Sequence, residues 1–214
     1  MTQALRQELI NTALAMNASG LNSGTSGNVS VRSGTSGQAA FLITPSRRDY
    51  ASLKPVDVVA MDEDGNWPDD LTPSSEWRFH RDIYAHRAEV QAIVHAHPVF
   101  SAALACLRRP IPAFHYMVTV AGGVDIPCSD YATFGTQELS NAVLQALKGR
   151  KACLMANHGL LATGSDLKSA LALAVEVEHL AQTYCQALRL GEPVLLDEAE
   201  MLRVLEKFKK QASV

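Results

Sequence analysis

The segment Val90-Gln-Ala-Ile-Val-His-Ala-His97, closed by Pro98, restricts this chain more than any other stretch. Its residues are mostly apolar and partly β-branched, which reads as a buried strand. Side chains at i and i+2 of a strand face the same way, so His95 and His97 can converge on one point at the strand end. Two imidazoles so placed suit a metal ion, whose nitrogen ligands lie about 2.0–2.1 Å away in zinc sites. A third histidine, His158, stands in Asn157-His-Gly-Leu160 after a second expected strand, Ala152 to Ala156. Three histidines at two strand ends would leave a coordination position for water or substrate, the pattern of catalytic zinc. A chance His-x-His and a structural histidine account for the same letters.

Glu76 follows Pro73-Ser74-Ser75 at the expected start of a helix running to His86. A first-turn carboxylate is favoured there by the helix dipole, with Ser74 or Ser75 as cap. The same glutamate also reads as a fourth ligand that can leave the metal and act as a base. Gly24-Thr-Ser-Gly-Asn28 offers hydroxyls, an amide and glycine-permitted backbone N–H groups in one loop, which can cradle an anion. Thr44-Pro45-Ser46 adds a hydroxyl at a strand end, and Ser74-Ser75 lies where helix N-termini receive phosphate. Each segment alone is also an ordinary turn or cap.

The remaining pattern is layered. An amphipathic first helix reaches about Asn17, and short strands are expected near Val29 to Val31, over Ala39 to Ile43 and over Asp57 to Met61. Asp62 to Asn66 has the chemistry of a hairpin turn. Further helices are expected over Phe100 to Cys106, Thr136 to Leu147, Asp166 to Arg189 and Asp197 to Lys210. Glu176, Glu178 and His179 on the long helix read as a solvated or salt-bridged face. No linker or composition shift divides the 214 residues, so residues 1–214 read as a single domain with a mixed or antiparallel sheet, not a Rossmann domain. A net charge of −3 with no basic run argues against nucleic acid. No stretch approaches the roughly 18 apolar residues of a membrane span, and the start does not read as a signal peptide. Cys106, Cys128, Cys153 and Cys185 form no CxxC pair and read as reduced core thiols of a cytoplasmic protein.

Six segments together resemble the class II aldolase/epimerase family: Gly24 to Arg32, Pro73 to His80, His95-Ala-His97, Ile111 to Met117, Tyr131 to Thr136 and Asn157 to Leu160. The resemblance runs over nearly the whole chain. It implies a three-layer α/β/α sandwich around a largely antiparallel central sheet, assembled as a homo-oligomer, a C4 tetramer with active sites between neighbouring subunits. It implies one zinc ion per subunit held by His95, His97 and His158, with Glu76 as ligand at rest and proton carrier in turnover. It also implies a dihydroxyacetone phosphate site from Asn28, Ser46, Ser74 and Ser75, with Thr25 close by, and it places Tyr116 near the reacting aldehyde.

The implied activity is reversible cleavage of a small-molecule sugar phosphate, a ketose 1-phosphate of the L-fuculose 1-phosphate type, by Lewis-acid enediolate chemistry. Two positions depart from the family's pattern. Arg47-Arg48 follow Ser46 where a glycine is expected, and Arg47 could add a charge-assisted phosphate contact. Gln211 stands where a tyrosine near the C-terminus reaches the aldehyde end. That second departure raises 5-deoxyribulose 1-phosphate or 5-(methylthio)ribulose 1-phosphate as the alternative substrate. An epimerase, a dehydratase or an adducin-like scaffold without catalysis are the remaining readings.

Overall fold

The computed structural model describes residues 3–33, 40–68 and 70–211. Its strands are β1 (Asn28–Arg32), β2 (Phe41–Ile43), β3 (Val59–Met61), β4 (Ala92–Ala96), β5 (Cys128–Ser129), β6 (Ala152–Met155) and β7 (Gly159–Gly164). They form one sheet in the order β3-β2-β1-β4-β7-β6-β5. Every neighbouring pair is antiparallel except β5 with β6. The helices are α1 (Gln3–Ala18), α2 (Trp77–His86), α3 (Val99–Cys106), α4 (Gln137–Ala146), α5 (Leu167–Leu190) and α6 (Glu198–Gln211).

The strands alternate between two apolar cores, which is what three layers require. Val29 and Val31 of β1 and Ala92, Val94 and Ala96 of β4 join Leu9, Ala13, Leu173 and Val177 from α1 and α5 in one core. Ile93 of β4 joins Phe79, Ile83 and Leu139 from α2 and α4 in the other. Each such fully buried Leu, Ile or Phe contributes about 1.5–3 kcal/mol relative to exposure. The expected sandwich is therefore the observed one.

Several local expectations change. The strand β7 is not among the elements expected from the sequence: Gly159 and Gly164 bracket Leu160-Leu-Ala-Thr163, and the segment pairs with both β4 and β6. The strand expected from Asp57 begins at Val59, because Pro55–Asp57 forms a short 3-10 turn with Pro55 at its first position. Asp62 to Asn66 does close a turn, Asn66 N donating to Asp62 Oδ1 at 2.8 Å, but no paired strand follows among the described residues. Ala39, placed at the start of the second strand, lies outside the described residues, as do Met1 and Thr2. Cys106 is exposed rather than in the core, whereas Cys153 is buried. Glu178 is not on a solvated face: its carboxylate accepts from Phe100 N, Ser101 N and Ser101 Oγ at 2.7–2.8 Å and caps α3.

Candidate active site

The register of β1 on β4 sets Asn28 directly across from His95. Both side chains leave the sheet on the α2 side, where Phe79 meets the His95 ring edge-on at 5.5 Å. His97 lies just past the end of β4, and His158 sits in the turn joining β6 to β7. Gly159 permits that turn to close on β4, since a Cβ there would stand 2.3 Å from the Ala96 carbonyl oxygen. The three imidazole rings consequently gather with centroids 4.7–4.9 Å apart.

Glu76 completes the group. It occupies the N-cap position of α2 itself, so neither Ser74 nor Ser75 is the cap; Ser74 Oγ instead accepts from Glu76 N at 3.4 Å. The Glu76 carboxylate makes no capping bond and points at the histidines: Oε2 is 3.1 Å from His95 Nε2, and Oε1 is 3.2 Å from His158 Nε2. One ligand atom from each of Glu76, His95, His97 and His158 lies within 4.8 Å of the others.

This donor set fits a cation. His95 Nδ1 is 2.8 Å from the Leu160 carbonyl oxygen, which can only accept, so the ring proton is on Nδ1. An uncharged ring so oriented aims its Nε2 lone pair at the Glu76 Oε2 oxygen, a repulsive arrangement unless a positive charge stands between them. Glu76 Oε1, His95 Nε2 and His97 Nε2 are buried without a hydrogen-bond partner, which is costly for groups left unsatisfied. Although close, the Glu76–histidine pairs are not aligned as hydrogen bonds. Burial opposes ionisation of Glu76, but the His95 and His158 imidazoles outweigh it and hold the carboxyl well below its usual range. Burial, with His95 and His158 adding repulsion, lowers His97 to about 3. An ionised Glu76 and an uncharged His97 are among the protonation states that metal ligation requires.

A cavity of about 480 Å³ opens beside this group. Thr25, Ser46, Arg47, Ser74, Ser75, Glu76, His97 and His158 line it, together with Ser26, Gly27, Pro45, Tyr131, Ala132, Phe134 and Asn157. Asn28 and His95 sit beneath, both almost wholly buried. Two backbone bonds tie the hydroxyl-bearing segments together: Ser46 N to Thr72 O at 2.9 Å and Ser74 N to Thr44 O at 3.0 Å. Buried Tyr50 donates its hydroxyl to the Gly27 carbonyl and supports the Thr25 loop from below. Arg48 turns away to Asp57 at 2.7 Å, so Arg47 is the cationic side chain on the cavity wall. Arg47 takes φ 56°, a left-handed conformation suited to glycine.

Tyr116 is the expected site residue that does not join the others. It begins the 3-10 segment Tyr116–Ala121, is 49% exposed and is absent from the wall of its own chain's cavity. Its ring lies parallel to Phe208 of α6, with centroids 6.5 Å apart. Conversely, Tyr131, Phe134 and Asn157, which belong to the segments that carry the resemblance, join the cavity wall beyond the expected site residues. Gly135, at φ 76°, lets the loop of Tyr131 and Phe134 pass close over the Ser75 carbonyl, and its own carbonyl accepts from Arg78 Nη1 at 2.7 Å; Asn157 comes from the turn between β6 and β7.

Comparison with known proteins agrees with this geometry. Residues 7–185 match the class II aldolase and adducin N-terminal domain. A 5-methylthioribulose-1-phosphate/5-deoxyribulose-1-phosphate aldolase of Rhodospirillum rubrum is 56% identical, the alignment covering 96% of this chain and 91% of that one. An L-fuculose phosphate aldolase of Escherichia coli is 48% identical, with 96% and 94% covered. The solved structure of an L-fuculose 1-phosphate aldolase superposes with a TM-score of 0.93 at 42% identity over 98% of both chains. With this match of sequence and fold, the chain belongs to the class II aldolase and adducin N-terminal domain family.

Proposed function

We propose that the protein is a metal-dependent aldolase that reversibly splits a ketose 1-phosphate into dihydroxyacetone phosphate and an aldehyde. The observation that carries this reading is the Glu76–His95–His97–His158 cluster, whose lone pairs face one another, opening onto a hydroxyl-lined cavity. An adducin-like scaffold would have no use for this arrangement. Three imidazoles and a carboxylate suit zinc best. When bound, the cation supplies Lewis-acid polarisation of the ketone and hydroxyl oxygens of the substrate.

The chain's own residues do the rest. Thr25, Asn28, Ser46, Ser74 and Ser75 receive the phosphate, and Arg47 adds a full positive charge. Glu76, displaced by the arriving substrate, takes the C3 proton of dihydroxyacetone phosphate in the synthetic direction and returns it in cleavage. Tyr116 gives the aldehyde oxygen its proton. Its exposure, and its place outside its own chain's cavity, support delivery to a neighbouring copy in a C4 tetramer. The free thiols suit a reducing compartment such as the cytoplasm. No described helix is long and apolar enough to cross a membrane.

For the aldehyde, the L-fuculose 1-phosphate reading stands beside the 5-deoxyribulose or 5-(methylthio)ribulose 1-phosphate reading. Gln211 in place of the tyrosine, and the pairing of Phe208 with Tyr116, favour the less hydroxylated aldehyde. The test is dihydroxyacetone phosphate release from a panel of these ketose 1-phosphates, with and without a chelator. Chelator-sensitive release is expected, fastest from the 5-deoxy or 5-methylthio sugar. A strong preference for fuculose 1-phosphate would reverse the choice of aldehyde. Conversion without free aldehyde would favour an epimerase or dehydratase.

A further inference from the structure

We infer that His80, backed by Ser30 and Tyr84, is a positioning residue for the Glu76 carboxylate and acts through the amide of Asn28. The inference rests on the reading of Glu76 as the proton carrier.

Two elements interlock to make the connection. Asn28 and Ser30 project from the same face of β1, two residues apart, and Glu76, His80 and Tyr84 follow one another at four-residue spacing along α2. Their side chains alternate like the teeth of a zip. Asn28 Nδ2 is 3.0 Å from Glu76 Oε2, and Asn28 Oδ1 is 2.5 Å from His80 Nε2. His80 Nδ1 is 2.6 Å from Ser30 Oγ, which is 2.8 Å from the Tyr84 hydroxyl. Arg32, next on that face of β1, lies over the Tyr84 ring and donates to the Tyr84 carbonyl at 2.7 Å, closing the far end.

The direction of every bond follows from the chemistry of its ends. The ionised Glu76 carboxylate only accepts, so Asn28 must offer its NH₂ group. The Asn28 oxygen is then the acceptor on the other side, which places the ring proton of His80 on Nε2. A neutral imidazole with that proton accepts at Nδ1, so Ser30 donates to it and in turn accepts from Tyr84. His80 is fully buried and faces no carboxylate of its own, conditions that keep the ring neutral.

The consequence is a locked amide. Flipping Asn28 would turn its oxygen toward Glu76 and its NH₂ toward the His80 N–H, two repulsions at once. A carboxylate that leaves its resting contacts and carries a proton needs a hold that survives the departure. The Asn28 donor is that hold, and His80 keeps it facing the right way.

The wiring is tested without turnover by NMR of protein carrying ¹⁵N-histidine, prepared metal-free. His80 is expected as the Nε2–H tautomer, and a ring protonated on Nδ1 alone would overturn the inference. Kinetics then test the role. His80→Leu removes the donor and should lower kcat by about tenfold or more, the weight of one hydrogen bond to a charged group, with any rise in KM through the phosphate contact of Asn28 smaller than the fall in kcat. His80→Gln returns an amide donor near Nε2 and should restore most of kcat. Equal losses in both variants, or a fall in unfolding midpoint with kcat intact, would reduce His80 to a structural role. Should His80→Leu not fold, Ser30→Ala and Tyr84→Phe replace it, with kcat falling more in Ser30→Ala, the nearer link. The reverse order would count against the inference. If native protein splits no ketose phosphate, the proposed function fails, while the tautomer still decides the wiring.

Discussion

Replacing Gly159 with alanine should separate the geometry of the cluster from its chemistry, because Gly159 touches no substrate group. The added Cβ would stand 2.3 Å from the Ala96 carbonyl oxygen and 2.7 Å from His97 Cδ2, where ordinary contact begins near 3.4 Å. The obstacle is backbone in the middle of the sheet, paired through Ala96 with Leu160, so β4 and β7 must part by about 1 Å. Overpacking of this kind costs about 1–3 kcal/mol. Ala96 lies between His95 and His97, and ligand distances tolerate only about 0.2 Å of error. Metal affinity should therefore fall by about 10–100-fold. Urea unfolding of the metal-free protein measures the first effect, and competition with a chromophoric chelator the second. Gly191→Ala is the control, since a Cβ there meets nothing within 4 Å. If Gly159→Ala binds zinc as tightly as the native chain, the turn does not set ligand placement and the reasoning fails.

Arg47→Gly should act in opposite directions on stability and binding. Relief of the left-handed φ, partly offset by the freer unfolded chain, should raise stability by up to about 1 kcal/mol; KM for a ketose phosphate should rise severalfold, and an unchanged KM would remove Arg47 from the phosphate site. Tyr50→Phe leaves the Gly27 carbonyl without its buried donor and should cost about 1–2 kcal/mol, with a raised KM as the phosphate loop loosens. Burial, with His95 adding to it, lowers His80 from 6.5 to about 3. Between those values the unfolded chain binds a proton that the native chain does not, so stability of the chelator-treated protein is full above about pH 6.5 and declines as pH falls toward 3. The slope for one such proton is about 1.4 kcal/mol per pH unit; His97, also lowered to about 3, adds a second across the same window, and Glu76, whose carboxyl is held low, acts in the same direction below its unfolded value. A flat stability profile across that window in chemical denaturation would mean that His80 and His97 take up protons in the native chain as readily as in the unfolded one.

The parts of the site legible in the sequence are those where one element's periodicity does the placing. His95 and His97 share a side because a strand alternates, and the run before them could only be buried. Glu76 was ambiguous, since a helix start explains a glutamate without any metal; only its carboxylate direction separates the two readings. The strand β7 is hard to read because it is short and bounded by glycines, residues that strands usually avoid; Gly159 is there for a close approach to Ala96. Tyr131 and Phe134 lie on irregular backbone with no period to read. His80 and Tyr84 carried a usable signal, four and eight residues beyond Glu76 on one helix face, with Asn28 and Ser30 two apart on a strand. Local spacing proposes such faces, but only the sheet register brings two of them together.

The placement of the four candidate ligands also bears on how the protein comes to be made. They arrive from the start of α2, the end of β4 and the β6–β7 turn, segments well separated along the chain that meet only when β4 has paired with β7. An unfolded chain can offer a cation little beyond the His95–His97 pair. Metal should therefore do little to hasten folding and much to slow unfolding, because the full chelate exists only once the central strands are joined. For this protein the cation is a lock fitted after the door has closed, and its loss should show first as a shortened lifetime of the native state.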